Sequence, residues 1–388
     1  MTHPLRGVAS IVGVAESDLG DVGADRYPLD LAAQAAVRAL AEAGLTMRDV
    51  DGLYSNIGGR FMANLDVGEA LGIRPRLSGT ANVGGSSFVS NVLHAAAALA
   101  AGLADTVLIV YGSTPRADRQ RNNQSGLREV PSYQAPYKPL DPVTGYALAA
   151  ARHMHAFGTT REQLAEVAVA ARQWALLNPA AFNHAKGPLT IAEVLSSPMV
   201  STPLGVRDCC LVTDGGGAVV MTRTERARDL PQPPVAVLGV GEAHWHRSIS
   251  QMPELTTTAA RDSGARAYAM AGVGPSDIDV LQLYDAFTIN PILFLEDLGF
   301  CAKGEGGAFV SGGRIAPGGA LPVNTNGGGL SYCHPGMYGI FTLIEAVRQL
   351  RGQAGARQVQ GAELAIAHGN GGQLSSQVTA VLGTLATL

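Results

Sequence analysis

Glycine clusters mark the places where this sequence could do chemistry: Gly84-Gly85, Gly215 to Gly217, twelve glycines between Gly304 and Gly339, and the Gly369-Asn370-Gly371-Gly372 turn. Each reads as positive-φ turns, or as backbone N–H groups brought close to a reacting oxygen. None has the G-x-G-x-x-G spacing between a strand and a helix, and no P-loop lysine follows one, so no nucleotide fingerprint is present. Cys333 and His334 adjoin at a predicted helix N-terminus, where a thiol pKa falls; a free cysteine more often acts as a small packing residue, the favoured reading of Cys333. Cys209, Cys210 and Cys301 have no histidine close in sequence and no metal-ligand spacing, and no metal site is predicted. Ser86 and Ser87 open another predicted helix, as N-cap hydroxyls or as hydrogen-bond partners of a ligand; a serine nucleophile would need an adjacent base.

The elements that position these groups come from a duplication. Ala43-Gly44-Leu45, Asp49-Val50-Asp51 and Leu53 recur 228 positions later as Ala271-Gly272-Val273, Asp277-Ile278-Asp279 and Leu281. A second pair follows: the helical stretch Ser87 to Gly102 leads into the apolar run Thr106 to Tyr111, as Met337 to Gly352 leads into Leu364 to His368. Two helix–strand–helix–strand units with buried strands predict an α/β protein of two similar halves. Residues 115 to 203 interrupt the first half without strand signals. The predicted organisation is a first half of residues 1–114 and 204–230, an inserted domain of 115–203 and a second half of 231–388. The insert carries helical patterns near Leu148 to Phe157 and Arg161 to Leu177, and its Arg116 to Arg128 stretch reads either as a solvated cap or as a lid for an anion.

Composition narrows the function. With 28 Lys+Arg against 32 Asp+Glu among 388 residues, the chain lacks the basic excess of a nucleic-acid binder. Its 46% hydrophobic content excludes disorder. The most apolar stretch, Ala95 to Tyr111, is broken by Asp105, so no membrane span is predicted, and the N-terminus reads as cytoplasmic rather than secretory. Charged residues make up only 15%, against the usual ~25%. A large subunit interface is one expected cause.

At this point the motifs carry a resemblance. Asn324-Thr-Asn-Gly-Gly-Gly-Leu-Ser-Tyr-Cys-His334-Pro-Gly-Met-Tyr-Gly339 resembles the thiolase segment ending in Gly-His-Pro-x-Gly. Leu283-Tyr284-Asp-Ala-Phe287 resembles the thiolase Asn-Glu-Ala-Phe or His-Asp-Cys-Phe loop. Ala367 to Gly372 resembles the C-terminal glycine turn of sterol-carrier-type thiolases, and Asp208 to Gly215 their central strand entry. The resemblance implies a thiolase fold of two stacked five-stranded sheets with helices between and outside, an inserted loop domain, a homodimer and acyl-CoA thioester substrates with no bound cofactor.

One departure bears on the chemistry. Matching Gly102 to Gly352 sets Gly84 opposite His334, so Gly84 stands where thiolases place their nucleophilic cysteine. Without a thiol there, a retro-aldol cleavage of a β-hydroxyacyl-CoA fits: a base takes the β-hydroxyl proton, Cα–Cβ breaks, and hydrogen-bond donors hold the thioester enolate. The thiolase-like lipid-transfer proteins, including aldolases that shorten steroid side chains, carry a tyrosine that Tyr284 matches. Their second tyrosine is replaced by His334, which leaves the second acid–base role to His334, Tyr332 or Tyr338. His368 is a further candidate, either base, oxyanion donor or structural. Asn326, Gly371 and Gly372 are expected oxyanion donors, and Ser86 a substrate contact. The steroid relatives imply a partner bearing a zinc ribbon and an OB fold. Two other readings stay open: a 3-oxoacyl-CoA thiolase or acyltransferase using Cys333, and a non-catalytic acyl-CoA or lipid carrier.

Overall fold

Both copies of the repeat end a helix, turn and enter a strand in the same way. In the computed structural model, which describes residues 3–57, 62–121 and 134–388, the first half runs β1 (Ala9–Glu16), α1 (Pro28–Glu42), β2 (Gly52–Ile57), α2 (Ala63–Leu71), β3 (Leu77–Gly79), α3 (Ser87–Ala100) and β4 (Thr106–Ser113). The inserted stretch holds α4 (Pro115–Gln120), α5 (Val143–Phe157), α6 (Arg161–Leu176), α7 (Ile191–Leu195) and a short hairpin of β5 (Met199–Ser201) and β6 (Leu204–Gly205). Then come β7 (Gly215–Arg223), α8 (Thr224–Ala227), β8 (Val235–His244), α9 (Ala260–Ala271), β9 (Val280–Leu283), α10 (Ile289–Asp297), α11 (Gly306–Val310), α12 (Gly339–Leu350), β10 (Leu364–Gly371) and β11 (Ser376–Gly383).

The repeated residues do the same work twice. Gly44 and Gly272 close α1 and α9 at φ +68° and +73°, a conformation glycine adopts without Cβ strain. Seven residues on, Asp51 Oδ1 accepts the Thr106 amide at 2.9 Å, and Asp279 Oδ2 accepts the Leu364 amide at 2.9 Å. Each carboxylate thus ties its own strand to the start of the next parallel one. A duplication read from spacing has a hydrogen-bonding cause.

Hydrogen bonding orders the strands β3-β2-β4-β7-β1-β8-β11-β10-β9. The first five have the pattern parallel, parallel, antiparallel, antiparallel. Read inward from the opposite edge, the second half repeats it, with β9–β10 parallel and β10–β11 and β11–β8 antiparallel. Here the structure departs from expectation in detail: the fifth strand of the second half is reduced to a single parallel bridge, Leu281 to Val323. The two sheets also join edge to edge, β1 to β8, through Ser10–Ala236 and Ile11–Val235. α3 and α12 touch strands of both halves, whereas α1 packs on the first half and α9 on the second. Helices therefore lie between the sheets and outside them.

Glycine explains the close fit of the outer helices. A Cβ on Gly13 of β1 would strike the Ala39 carbonyl of α1, and one on Gly239 of β8 would strike the Ala267 carbonyl of α9. Helix backbone lies directly on strand backbone at both places, the alanine face Ala32, Ala35, Ala36 and Ala39 being buried. The expected absence of strands from residues 115–203 is not met: β5 lies there and pairs antiparallel with β6 just beyond it. Of its arginines, Arg116 pairs with Asp21 and Arg121 with Asp118; the remainder of the suggested lid, residues 122–128, lies outside the described residues. Among the described residues no helix is long and apolar enough to cross a membrane.

Candidate active site

Tyr284 follows β9 directly, where its amide donates to the His368 carbonyl of the neighbouring strand at 3.1 Å. His334 lies on the other wall, ahead of α12, with its amide donating to Thr213 Oγ1 at 2.9 Å. These two anchors bring the phenol Oη and imidazole Nε2 to 3.1 Å, the rings meeting edge to face at 85°. Burial raises the Tyr284 pKa well above its ordinary value. His334 is half-buried, and desolvation of its ring pushes its pKa down to about 4. Both groups are thus neutral near pH 7: a phenol that keeps its proton faces an imidazole able to accept one.

Tyr338 completes an aromatic cluster, edge-on to Tyr284 at 5.8 Å between centroids. Its hydroxyl donates to Asn326 Oδ1 at 2.8 Å, and that oxygen also accepts the Gly328 amide at 2.9 Å. Tyr338 therefore orients Asn326, whose Nδ2 donor takes part in neither bond. Tyr332 goes elsewhere. Its hydroxyl donates to Glu16 on β1 at 2.9 Å, so it does not join the pair.

The space beside Gly84 and Gly85 is filled by these same elements. Gly84 sits at φ +78°, and a Cβ there would lie 2.7 Å from the Gly372 nitrogen and 2.8 Å from Gly371 Cα. A Cβ on Gly85 would lie 2.6 Å from Tyr284 Cζ and 2.7 Å from the Asn370 carbonyl. The wall assigned by resemblance to a cysteine is occupied by a tyrosine ring and a glycine turn.

His368 is not free to act as a base. It is fully buried; Nε2 contacts Gln377 Oε1 at 3.0 Å and Nδ1 contacts Thr379 Oγ1 at 2.9 Å. Gln377 Nε2 donates to Asn370 Oδ1 at 2.7 Å, so its oxygen must accept, which puts the histidine proton on Nε2. Asn370 Nδ2 in turn donates to Tyr146 Oη at 2.8 Å, and Tyr146 donates to the Gly372 carbonyl at 2.7 Å. Burial pushes the His368 pKa down to about 3. Its part is to anchor a buried hydrogen-bond chain that ends on the Gly371–Gly372 turn.

Cys333 is fully buried, and desolvation with the nearby Glu16 and Asp285 carboxylates raises its pKa well above the ordinary thiol value, the opposite of what a nucleophile needs. Ser86 is buried too, its hydroxyl spent on the Val83 carbonyl at 3.1 Å and Ser376 Oγ at 2.7 Å. One residue given no role from sequence matters here. Asp285, next to Tyr284, accepts the Gly329 amide at 2.6 Å and holds the turn that leads to His334; burial raises its pKa to about 7. Its position inside the Tyr-Asp-x-Phe motif was the available signal. Among the described residues no group of three or more His, Cys, Asp or Glu is placed to hold a metal.

Comparison with known proteins identifies the family. A family model described as thiolase C-terminal domain-like matches residues 241–384. The chain is 36% identical to 17-hydroxy-3-oxo-4-pregnene-20-carboxyl-CoA lyase of Mycobacterium tuberculosis, over 90% of this chain and 92% of that protein. It is 34% identical to an acetyl-CoA acetyltransferase of Methanothermobacter thermautotrophicus, over 95% and 97%. A solved structure described as an Ltp2-ChsH2(DUF35) aldolase superposes with a TM-score of 0.88 at 32% identity, over 98% of both chains. The chain belongs to the thiolase superfamily.

Proposed function

We propose that this chain is an acyl-CoA aldolase, cleaving a β-hydroxyacyl-CoA with a steroid or other lipid side chain into a ketone or aldehyde and a shorter acyl-CoA. The observation that carries the reading is the 3.1 Å contact between Tyr284 Oη and His334 Nε2, beside a wall where Gly84 and Gly85 leave no room for a side chain. In the proposed reaction Tyr284 Oη takes the substrate's β-hydroxyl proton while passing its own to His334 Nε2. The Cα–Cβ electrons move into the thioester as an enolate and the β-carbon becomes a carbonyl. Asn326 Nδ2 and the Gly372 amide are the donors proposed to hold the enolate oxygen. The relay then runs backwards: Tyr284 gives its proton to Cα and recovers one from His334, leaving both groups neutral. No covalent acyl-enzyme forms. That one relative is named a lyase and a solved relative an aldolase supports the reaction class; the burial of Cys333 weighs against the thiolase route despite the acetyltransferase relative.

The enzyme is proposed to act as a homodimer, with a DUF35-type protein as a further partner by analogy with the solved aldolase. β3, the edge strand among the described residues, and the exposed Met62 and Leu65 near it suit a subunit contact.

The test is mass-resolved turnover of a β-hydroxyacyl-CoA bearing a branched β-carbon, by the chain alone and with such a partner. Release of ketone and shortened acyl-CoA without free CoA supports the reading, and Tyr284→Phe should lower kcat by about 100- to 10,000-fold, the range of a lost acid–base group. A stable acyl adduct on Cys333, or binding with no turnover under any condition, refutes it.

A further inference from the structure

Behind His334 the chain runs Pro335-Gly336-Met337 before α12 begins, and one side chain of the first half holds both ends of that run. Tyr111, near the end of β4, is only 1% exposed. Its hydroxyl donates to the Pro335 carbonyl and accepts the Met337 amide at 3.1 Å. Gly336 lies between the two gripped groups at φ +88°, its Cβ position 3.6 Å from the same hydroxyl, so the run curls around the phenol. The ring is seated against Phe88 of α3, with centroids 4.9 Å apart. Binding a carbonyl and an amide at one point takes a group that both donates and accepts, which a phenol does and a phenyl ring does not.

The peptide next to this clamp is the one that bears the His334 carbonyl. Thr213 grips it from the other side: the Thr213 amide donates to the His334 carbonyl at 3.5 Å, and the His334 amide donates to Thr213 Oγ1 at 2.9 Å. The same carbonyl takes a hydrogen bond from its own imidazole. Since Nε2 is turned to Tyr284 Oη at 3.1 Å, the ring nitrogen that reaches the backbone is Nδ1. A neutral imidazole has one proton, and the carbonyl holds it on Nδ1, which leaves Nε2 as an acceptor facing the phenol. Rotation of the His334–Pro335 peptide would remove that acceptor and release the proton to Nε2, where it would confront the Tyr284 hydroxyl proton.

We propose that Tyr111 is a positioning residue: with Thr213 opposing it, its clamp on Pro335 and Met337 fixes the direction of the His334 carbonyl, and with it the tautomer in which Nε2 can take the Tyr284 proton. Its effect on turnover rests on the aldolase reading above; the tautomer itself is a property of the resting protein. Tyr111 acts wholly through His334, from a strand of the opposite half.

Nitrogen-15 spectra of the whole chain labelled at histidine, with His334 assigned by its loss in His334→Asn, read the tautomer near pH 7 without turnover. Wild type should show a protonated Nδ1 and a bare Nε2. Tyr111→Phe should move both signals toward a mixture of tautomers and lower kcat by about 10- to 100-fold, the cost of a misplaced catalytic group, with KM within about twofold. Thr213→Val, which removes the acceptor of the His334 amide, should move the same signals, and Thr213→Ser, which keeps the hydroxyl, should not. Tyr268→Phe is the control. It deletes a hydroxyl that donates to the Leu298 carbonyl at 3.0 Å on the outer helix α9, and should leave spectra and kcat as in wild type. His334 signals unmoved in Tyr111→Phe or in Thr213→Val overturn the proposal, as does an equal loss of kcat in Tyr268→Phe. Signals that move as expected in a protein that cleaves no β-hydroxyacyl-CoA keep the hold of Tyr111 on the tautomer and remove only the aldolase reading.

Discussion

Placing a cysteine at position 84 should cost stability and yield no thiolase. Gly84 has φ +78°, where a side chain adds about 1 to 2 kcal/mol of left-handed strain. The new Cβ would also sit 2.7 Å from the Gly372 nitrogen and 2.8 Å from Gly371 Cα, both backbone atoms of a turn anchored through Tyr146, Asn370 and His368. Overpacking of that kind costs about 1 to 3 kcal/mol. Together Gly84→Cys should lose about 2 to 5 kcal/mol, a large part of the ~5 to 15 kcal/mol that holds a typical domain. Gly72 supplies the control. Its φ is +66° and nothing lies within 4 Å of its Cβ position, so Gly72→Cys bears the strain without the clash. Urea unfolding of both variants against wild type isolates the difference. If the two midpoints move equally, the Gly371–Gly372 turn does not fill the space as described; an acyl adduct on the introduced thiol after incubation with acyl-CoA would overturn the reasoning outright.

Other outcomes follow from the same geometry. Cys333→Ala should keep kcat within about threefold, since a buried protonated thiol does no chemistry, and steady-state turnover checks this. Tyr146→Phe leaves the Gly372 carbonyl and Asn370 Nδ2 without a partner, so kcat should fall by about 10- to 100-fold with KM little changed. The pH dependence of stability has two limbs. His334 and His368, folded pKa values about 4 and about 3, take up protons more readily unfolded, so stability is lost as pH falls below about 6.5; His368→Gln should flatten part of that limb in urea midpoints between pH 4 and 7. Asp285 acts oppositely. Its folded pKa of about 7 exceeds the unfolded value, so its contribution is lost as pH rises from about 4 through 7, and Asp285→Asn should remove that slope.

How far the site could be read from sequence differs residue by residue. Tyr284 and His334 were legible because each lies in a segment whose motif and element boundary coincide. Tyr332 and Tyr338 were not separable. Between Gly327 at φ +103° and Cys333 the chain makes a π-helical turn, so neither a period of 3.6 nor one of 2 predicts where Tyr332 points. Its partner Glu16 is 316 residues away in sequence. His368 was closer to reach: once the Gly372 turn is taken as a hairpin, register sets His368 opposite Thr379 and Asn370 opposite Gln377. A polar cross-strand network was implied there, but only the register of that turn decides it. Asp285 remained unassigned because most of its partners are backbone amides, which leave no trace in composition.

Two adjacent positions in this wall leave no room for a side chain. Tyr284 occupies the volume that any side chain at position 85 would need, since a Cβ there would meet Cζ at 2.6 Å. The Gly371–Gly372 turn does the same at position 84. A thiolase-like wall could acquire the tyrosine only with small residues facing it, and a chain with Gly84 and Gly85 but no Tyr284 would leave a void beside His334. Gly85→Ala should therefore abolish the 3.1 Å contact by displacing the ring, and lower kcat as far as Tyr284→Phe does while leaving His334 in place. The double variant should then be no slower than either single one, the signature of two substitutions acting on one contact. If the losses multiply instead, Gly85 serves the reaction by some route other than seating Tyr284.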